Sequence, residues 1–207
     1  MKPALLAIVG HSGCGKTTLI EKLLPLLNTA GLRVATIKHT HHDVRLRHVT
    51  AQQPLAGAAA GNPIPHQTLS RTVSGVLLDM PGKDSWRHKQ AGAAASMLLT
   101  PSGMQLVTDT IEYPLAQLAQ RYFFDMDLVL AEGFSHAACA KIEVLRAACS
   151  TDARCTEQDG LIAMVTDVRG NNNDGSNMQL PHFVPDDISG IAQWIVDWQR
   201  QHGSGHD

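Results

Sequence analysis

The stretch ALLAIVGHSGCGKTTL, residues 4–19, joins an apolar run of strand length to a glycine-rich loop and then to the first turn of an amphipathic pattern. From Gly10 to Thr17 it matches G-x-x-x-x-G-K-[ST], in the strand, loop, helix order that this phosphate-binding motif requires. The chemistry explains the residue types. Glycines at 10, 13 and 15 let the backbone bend so that N–H groups along Gly10, His11, Ser12, Gly13, Cys14 and Gly15 surround phosphate oxygens, and the helix N-terminus adds its positive dipole end. Lys16 is then placed to reach the β- and γ-phosphates, the Thr17 hydroxyl to ligate Mg²⁺, and Thr18 to bind the α-phosphate. The loop predicts a bound nucleoside triphosphate and nothing narrower, because kinases, GTPases and metallochaperones share it.

Working outward, strand-length apolar runs recur at 33–38, 96–100, 104–108, 128–132, 141–145 and 161–165. Helical periodicity marks 17–29, where Leu19, Leu23, Leu24 and Leu27 share a face, and then 85–95, 114–123 and 188–201. Continuous apolar strands alternating with amphipathic helices predict an α/β fold, doubly wound, with a mainly parallel sheet of the P-loop NTPase type. Residues 1–202 are expected to form a single domain. The Ala-, Gly-, Pro- and Gln-rich segment at about 44–74 lacks periodicity and is expected to be a surface insertion, and 203–207 a disordered tail.

Composition excludes several classes. Lys and Arg number 17 against 19 Asp and Glu, so the basic footprint of a general nucleic-acid binder is missing. No apolar run approaches the ~20 residues needed to span a bilayer, and the N-terminal residues do not read as a signal peptide, so a cytoplasmic protein is expected. The four cysteines, Cys14, Cys139, Cys149 and Cys155, contain no C-x-x-C pair and are expected to be free thiols; Cys139 and Cys149 flank a strand and stand as a minor candidate pair.

Two carboxylates end predicted strands. Glu132 closes LVLAE, where a metal- or water-directing group must stand to meet a γ-phosphate, and so joins Lys16 as a candidate catalytic residue. Asp167 follows LIAMV, where a carboxylate can accept the two N–H donors of a guanine edge, although a strand-ending Asp is also an ordinary turn residue. The cluster IKHTHHD, with Lys38, His39, His41, His42 and Asp43, leaves its strand on the same edge of the sheet. Lys38 can balance phosphate charge there. The three histidines converge on a metal only if the chain turns sharply, so no tightly held transition metal is expected.

GHSGCGKTTL, IKHTHHD, DMPGKDSWRHKQAGA and LVLAEGFSHAACAKIEVLR, in this order, resemble the MobB family, SIMIBI-class P-loop GTP-binding adaptors of molybdopterin-guanine dinucleotide biosynthesis. The resemblance implies a homodimeric GTP-binding protein with slow hydrolysis. It further implies a partner, the molybdenum cofactor guanylyltransferase that attaches GMP to molybdopterin, with molybdopterin itself a candidate ligand. It places Mg²⁺ on Thr17, Asp84 and Glu132, with Asp79 as runner-up for the middle role. Family members pass from H-H-D to P-G-K-D-S within a few residues, whereas this chain takes more than thirty. The alternatives are a SIMIBI metallochaperone GTPase, favoured by the histidines, and a P-loop small-molecule kinase or ligase, which would need an arginine-rich lid.

Overall fold

The computed structural model describes residues 2–39, 82–108, 113–168 and 180–203. The expected insertion, His41, His42, Asp43, Asp79 and residues 204–207 lie outside the described residues. Residue contacts gather the chain into two compact units, 1–39 with 113–207 and 40–112.

The first unit holds a six-stranded sheet built from β1 (Ala4–Val9), β2 (Val34–Lys38), β5 (Leu128–Glu132), β6 (Ala140–Leu145), β7 (Leu161–Thr166) and β8 (His182–Phe183). Their order is β2-β5-β1-β6-β7-β8, and every pairing is parallel. The doubly wound α/β expectation therefore holds, with β1 central. Continuous apolar runs suit this sheet because both faces are covered. Helices α1 (Lys16–Thr29) and α4 (Ile188–His202) bury Leu19, Ile20, Leu23, Leu27, Ile191 and Ile195 against Leu6, Ile8, Leu128, Leu130, Ile142 and Val144. On the other face, Ala7, Val9, Ala131 and Leu145 meet Leu115 of α3 (Leu115–Tyr122). Full burial of a Leu or Ile side chain contributes about 1.5–3 kcal/mol, so these two clusters carry the unit.

In the second unit α2 (Asp84–Gln90) precedes β3 (Ala95–Thr100) and β4 (Gly103–Thr108). The helix expected at 85–95 stops early, because Gly92 takes φ +104° and the Gly92 and Ala93 N–H groups turn back to the carbonyls of Lys89 and His88, each at 3.1 Å, while Lys89 Nζ donates to the carbonyls of Ala93 and Ala94 beyond the turn. The two strands, expected to belong to the parallel sheet, instead pair with each other as an antiparallel two-stranded sheet. A linker of Pro101 and Ser102 is too short for any parallel crossover, which needs a dozen residues or more. Met97 and Leu99, facing Leu106 and Met104 across the pair, give one side of this sheet an apolar surface. Met97, Leu99 and Met104 are 52, 69 and 66 % exposed.

Candidate phosphate and metal site

The P-loop follows β1 at the carboxyl edge of the sheet, between the edges of β5 and β6. Gly10 has φ +135°, and a Cβ there would lie 2.3 Å from the Val144 carbonyl oxygen, so only glycine lets the loop pass this close to β6. Gly15, at φ +87°, stands in the left-handed region as the N-cap of α1 and leads directly into Lys16. Lys16 Nζ donates to the carbonyls of Gly10, at 3.1 Å, and His11, at 2.7 Å, so its ammonium closes the loop on itself. Burial lowers the Lys16 pKa first of all. Glu132 opposes that shift, and the charges of Arg154 and Lys38 add to it.

The strand register brings together what the sequence had far apart. Lys38 and Glu132 are partners across β2 and β5, at the ends of both strands. Thr17, on the first turn of α1, donates its hydroxyl to Glu132 Oε1 at 2.8 Å. Lys38 Nζ sits 3.2 Å from the same oxygen and donates to Thr17 Oγ1 at 3.3 Å. Glu132 is only 12 % exposed, whereas Lys38 is 59 % exposed. Two hard oxygen donors thus already hold a cation between them, which is the donor chemistry a Mg²⁺ ion takes. Thr17 and Glu132 fit the ion, and when bound it would draw negative charge from phosphate oxygens.

Asp84, expected to complete that set, belongs to the second unit, on the first turn of α2, 88 % exposed and 3.6 Å from Arg87 Nη1. Thr17 and Glu132 are therefore the part of the expected set that the first unit brings together. Thr18 is an exposed neighbour on the same turn. Asp167 lies just past β7 as expected, with its oxygens engaged by the Ala147 N–H at 2.7 Å and by Arg146 Nε at 2.8 Å. The Ala147 N–H, then Arg146, hold its carboxyl below the ordinary value. A guanine edge would have to use the remaining lone pairs of this carboxylate. His39 packs its ring 5.3 Å from that of Phe134, while its N–H continues the β2–β5 ladder to the Glu132 carbonyl.

The cysteine expectation is corrected. Cys14 and Cys149 form a disulfide, with Cα atoms 5.6 Å apart, while Cys139 and Cys155 are free. Spacing along the chain hid the pair because β1 and β6 are neighbours, with Val9 beside Glu143, so the loops after them run side by side. Two more contacts join those loops. His11 Nε2 lies 3.2 Å from the Asp152 carbonyl, and Cys149 Sγ 3.3 Å from the Ser12 carbonyl. A carbonyl only accepts, so Nε2 carries the proton.

Sequence reasoning also missed two buried charges on β6. Glu143, fully buried, accepts the N–H groups of Arg154 and Cys155 at 2.7 and 3.0 Å, which fixes the end of the loop beside the phosphate site. Lys141, 1 % exposed, donates to the carbonyls of Ala137, Cys139 and Asp159. The signal was the alternation in KIEVL, where two charges share a face with Leu145 while Ile142 and Val144 share the other.

Comparison with known proteins follows the same lines. The family model described as Molybdopterin guanine dinucleotide synthesis protein B matches residues 5–61 and 65–167. The molybdopterin-guanine dinucleotide biosynthesis adapter protein of Escherichia coli (strain K12) is 32 % identical over 205 residues, spanning 96 % of this chain and 95 % of that protein. The adapter protein of the same description from Haemophilus influenzae is 35 % identical over 140 residues, 67 % of this chain and 61 % of that one. A crystal structure of molybdopterin-guanine biosynthesis protein B superposes with a TM-score of 0.59 at 25 % identity, covering 95 % of this chain and 99 % of that one.

Proposed function

The chain belongs to the molybdopterin guanine dinucleotide synthesis protein B family, and from that premise we propose that it is a GTP-binding adapter that assists attachment of GMP to molybdopterin. The observation that carries the nucleotide half of this reading is the meeting of the Thr17 hydroxyl and the Glu132 carboxylate beside a glycine loop closed by Lys16. Backbone N–H groups and Lys16 bind the phosphates, Thr17 and Glu132 hold Mg²⁺, and Asp167 offers an acceptor to the guanine edge. Hydrolysis is slow and secondary to adapter action, as the family resemblance implies.

The partner is the guanylyltransferase that handles the pterin. A second copy of the chain covers the apolar side of the β3–β4 sheet, since an exposed patch of Met97, Leu99 and Met104 on one side is the kind of surface an interface removes from water. Titration calorimetry with GTP and ATP in the presence of Mg²⁺ tests the nucleotide reading. GTP binding that weakens roughly 10- to 150-fold in Lys16→Ala supports it, as expected for a charge-assisted contact of about 1.5–3 kcal/mol. Unchanged affinity refutes it. Sedimentation of the purified chain and its retention by immobilised guanylyltransferase test the assembly; a monomer that the enzyme does not retain refutes it.

A further inference from the structure

The cation already held between Thr17 and Glu132 is the ammonium of Lys38, and its position is fixed by backbone as much as by charge. Lys38 and Glu132 are register partners at the last residues of adjacent parallel strands, so their side chains leave the same face side by side. Lys38 Nζ is 3.2 Å from Glu132 Oε1 and 3.3 Å from Thr17 Oγ1, and those two oxygens are 2.8 Å apart. A Mg²⁺ ion needs the same two oxygens at about 2.0–2.1 Å. It would then stand within a few ångströms of the ammonium, in a place where Glu132 is the nearly buried counter-charge for both. Like charges so close repel, the more so against a dication and beside a nearly buried carboxylate that water screens poorly. Metal and ammonium cannot share the position.

We propose that Lys38 is the resident counter-ion of the divalent-metal position in the nucleotide-free protein, and that it excludes the metal until phosphate arrives. This inference rests on the phosphate-site reading for its second half only. Entering phosphates give the ammonium another set of oxygens within the reach of its flexible stem, and Glu132 and Thr17 are released to the metal that the phosphates bring. Metal and nucleotide therefore bind as a coupled pair, each raising the affinity for the other by the same factor. Lys38 acts here as a positioning residue.

The test uses Mn²⁺ alone as the probe, followed by electron paramagnetic resonance of the free ion, with the full-length chain and no nucleotide. The wild type is expected to leave Mn²⁺ free at concentrations where Lys38→Met binds one equivalent at least ten-fold more tightly. Lys38→Arg, which keeps the charge, is expected to behave as wild type, and Lys38→Met with Glu132→Gln to lose the gain. Circular dichroism of each variant establishes that it is folded. In a second series with GTP present, the nucleotide-induced gain in Mn²⁺ affinity shrinks at least ten-fold in Lys38→Met. Equal Mn²⁺ binding by wild type and Lys38→Met without nucleotide overturns the proposal, and so does tight Mn²⁺ binding by the wild type alone. Failure of the wild type to bind GTP would instead refute the nucleotide reading, because the metal-only series does not depend on it.

Discussion

Breaking the Cys14–Cys149 bond is a quantitative test of the geometry around the P-loop. The bridge closes a loop with a sequence separation of 135 residues. In the chain-entropy model a loop of that size restricts the unfolded ensemble by about 5 kcal/mol at 25 °C, while native disulfides typically contribute about 2–5 kcal/mol once other terms enter. Reduction, or Cys149→Ser, is therefore expected to lower the unfolding free energy by about 2–5 kcal/mol. It is also expected to raise the denaturant m-value, because the freed unfolded chain exposes more surface. In a domain of this size each kcal/mol moves the melting midpoint by roughly 2–4 °C. The assay is urea unfolding of protein purified without reductant, against the same protein in a phosphine reductant. A thiol count accompanies it. Denatured, non-reduced protein should show two titratable thiols, those of Cys139 and Cys155, and native protein should react slowly, because burial raises both thiol pKa values. Four thiols in the denatured, non-reduced chain would refute the pairing, as would identical midpoints in both redox states.

Gly10→Ala should destabilise by more than the roughly 1–3 kcal/mol of a strained backbone conformation, because its Cβ would also meet the Val144 carbonyl at 2.3 Å; a melting midpoint equal to wild type would contradict this. Glu143→Gln keeps the shape but replaces one of two accepting oxygens with an amide donor. One of the Arg154 and Cys155 N–H groups loses its partner, at a cost of about 1–3 kcal/mol readable by urea unfolding. Asp167 has its folded pKa below the ordinary value of 3.8, so its contribution to stability is complete above that value and is lost as pH falls through the folded pKa. Acid unfolding of Asp167→Asn should accordingly be less steep in the region below pH ~4 than that of the wild type, and superimposable acid curves would show that the carboxylate adds nothing. The same substitution should reduce preference for GTP over xanthosine triphosphate, measured by competition binding, if the carboxylate meets the base.

How much of this was legible in the sequence depends on whether the signal was local. Residues 4–19 carry strand, loop and helix within one window, and the structure follows them from Ala4 to Thr29. Lys38 and Glu132 were placed correctly at strand ends, because an apolar run has a readable last residue. Their mutual distance was not legible, since register between strands more than ninety residues apart is decided by the whole sheet. The Cys14–Cys149 pair failed for the same reason, whereas Glu143 meets partners only 11 and 12 residues on, and its signal, the alternation in KIEVL, was local. The β3–β4 pair shows the opposite failure. Its two apolar runs look like buried parallel strands, and only the two-residue linker between them told otherwise.

The strand order has a consequence for how the chain is made. No two strands of the parallel sheet from the first half of the sequence pair with each other: β1 waits for β5 and β6, and β2 waits for β5. A ribosome that has delivered the phosphate loop must synthesise more than a hundred further residues before either neighbour of β1 emerges. At typical elongation rates of about 5–20 residues per second, that interval lasts roughly 6–24 s. Throughout it a strongly apolar strand has both edges open, which is the template for pairing with other nascent chains. Any truncation that stops before Leu145 also leaves Gly10 without the strand it packs against, so an N-terminal fragment containing the complete glycine loop would still lack the wall that shapes it. The phosphate loop, among the first residues made, thus waits for β5 and β6 before it can take its shape, and until they emerge β1 has to be kept from the wrong partner.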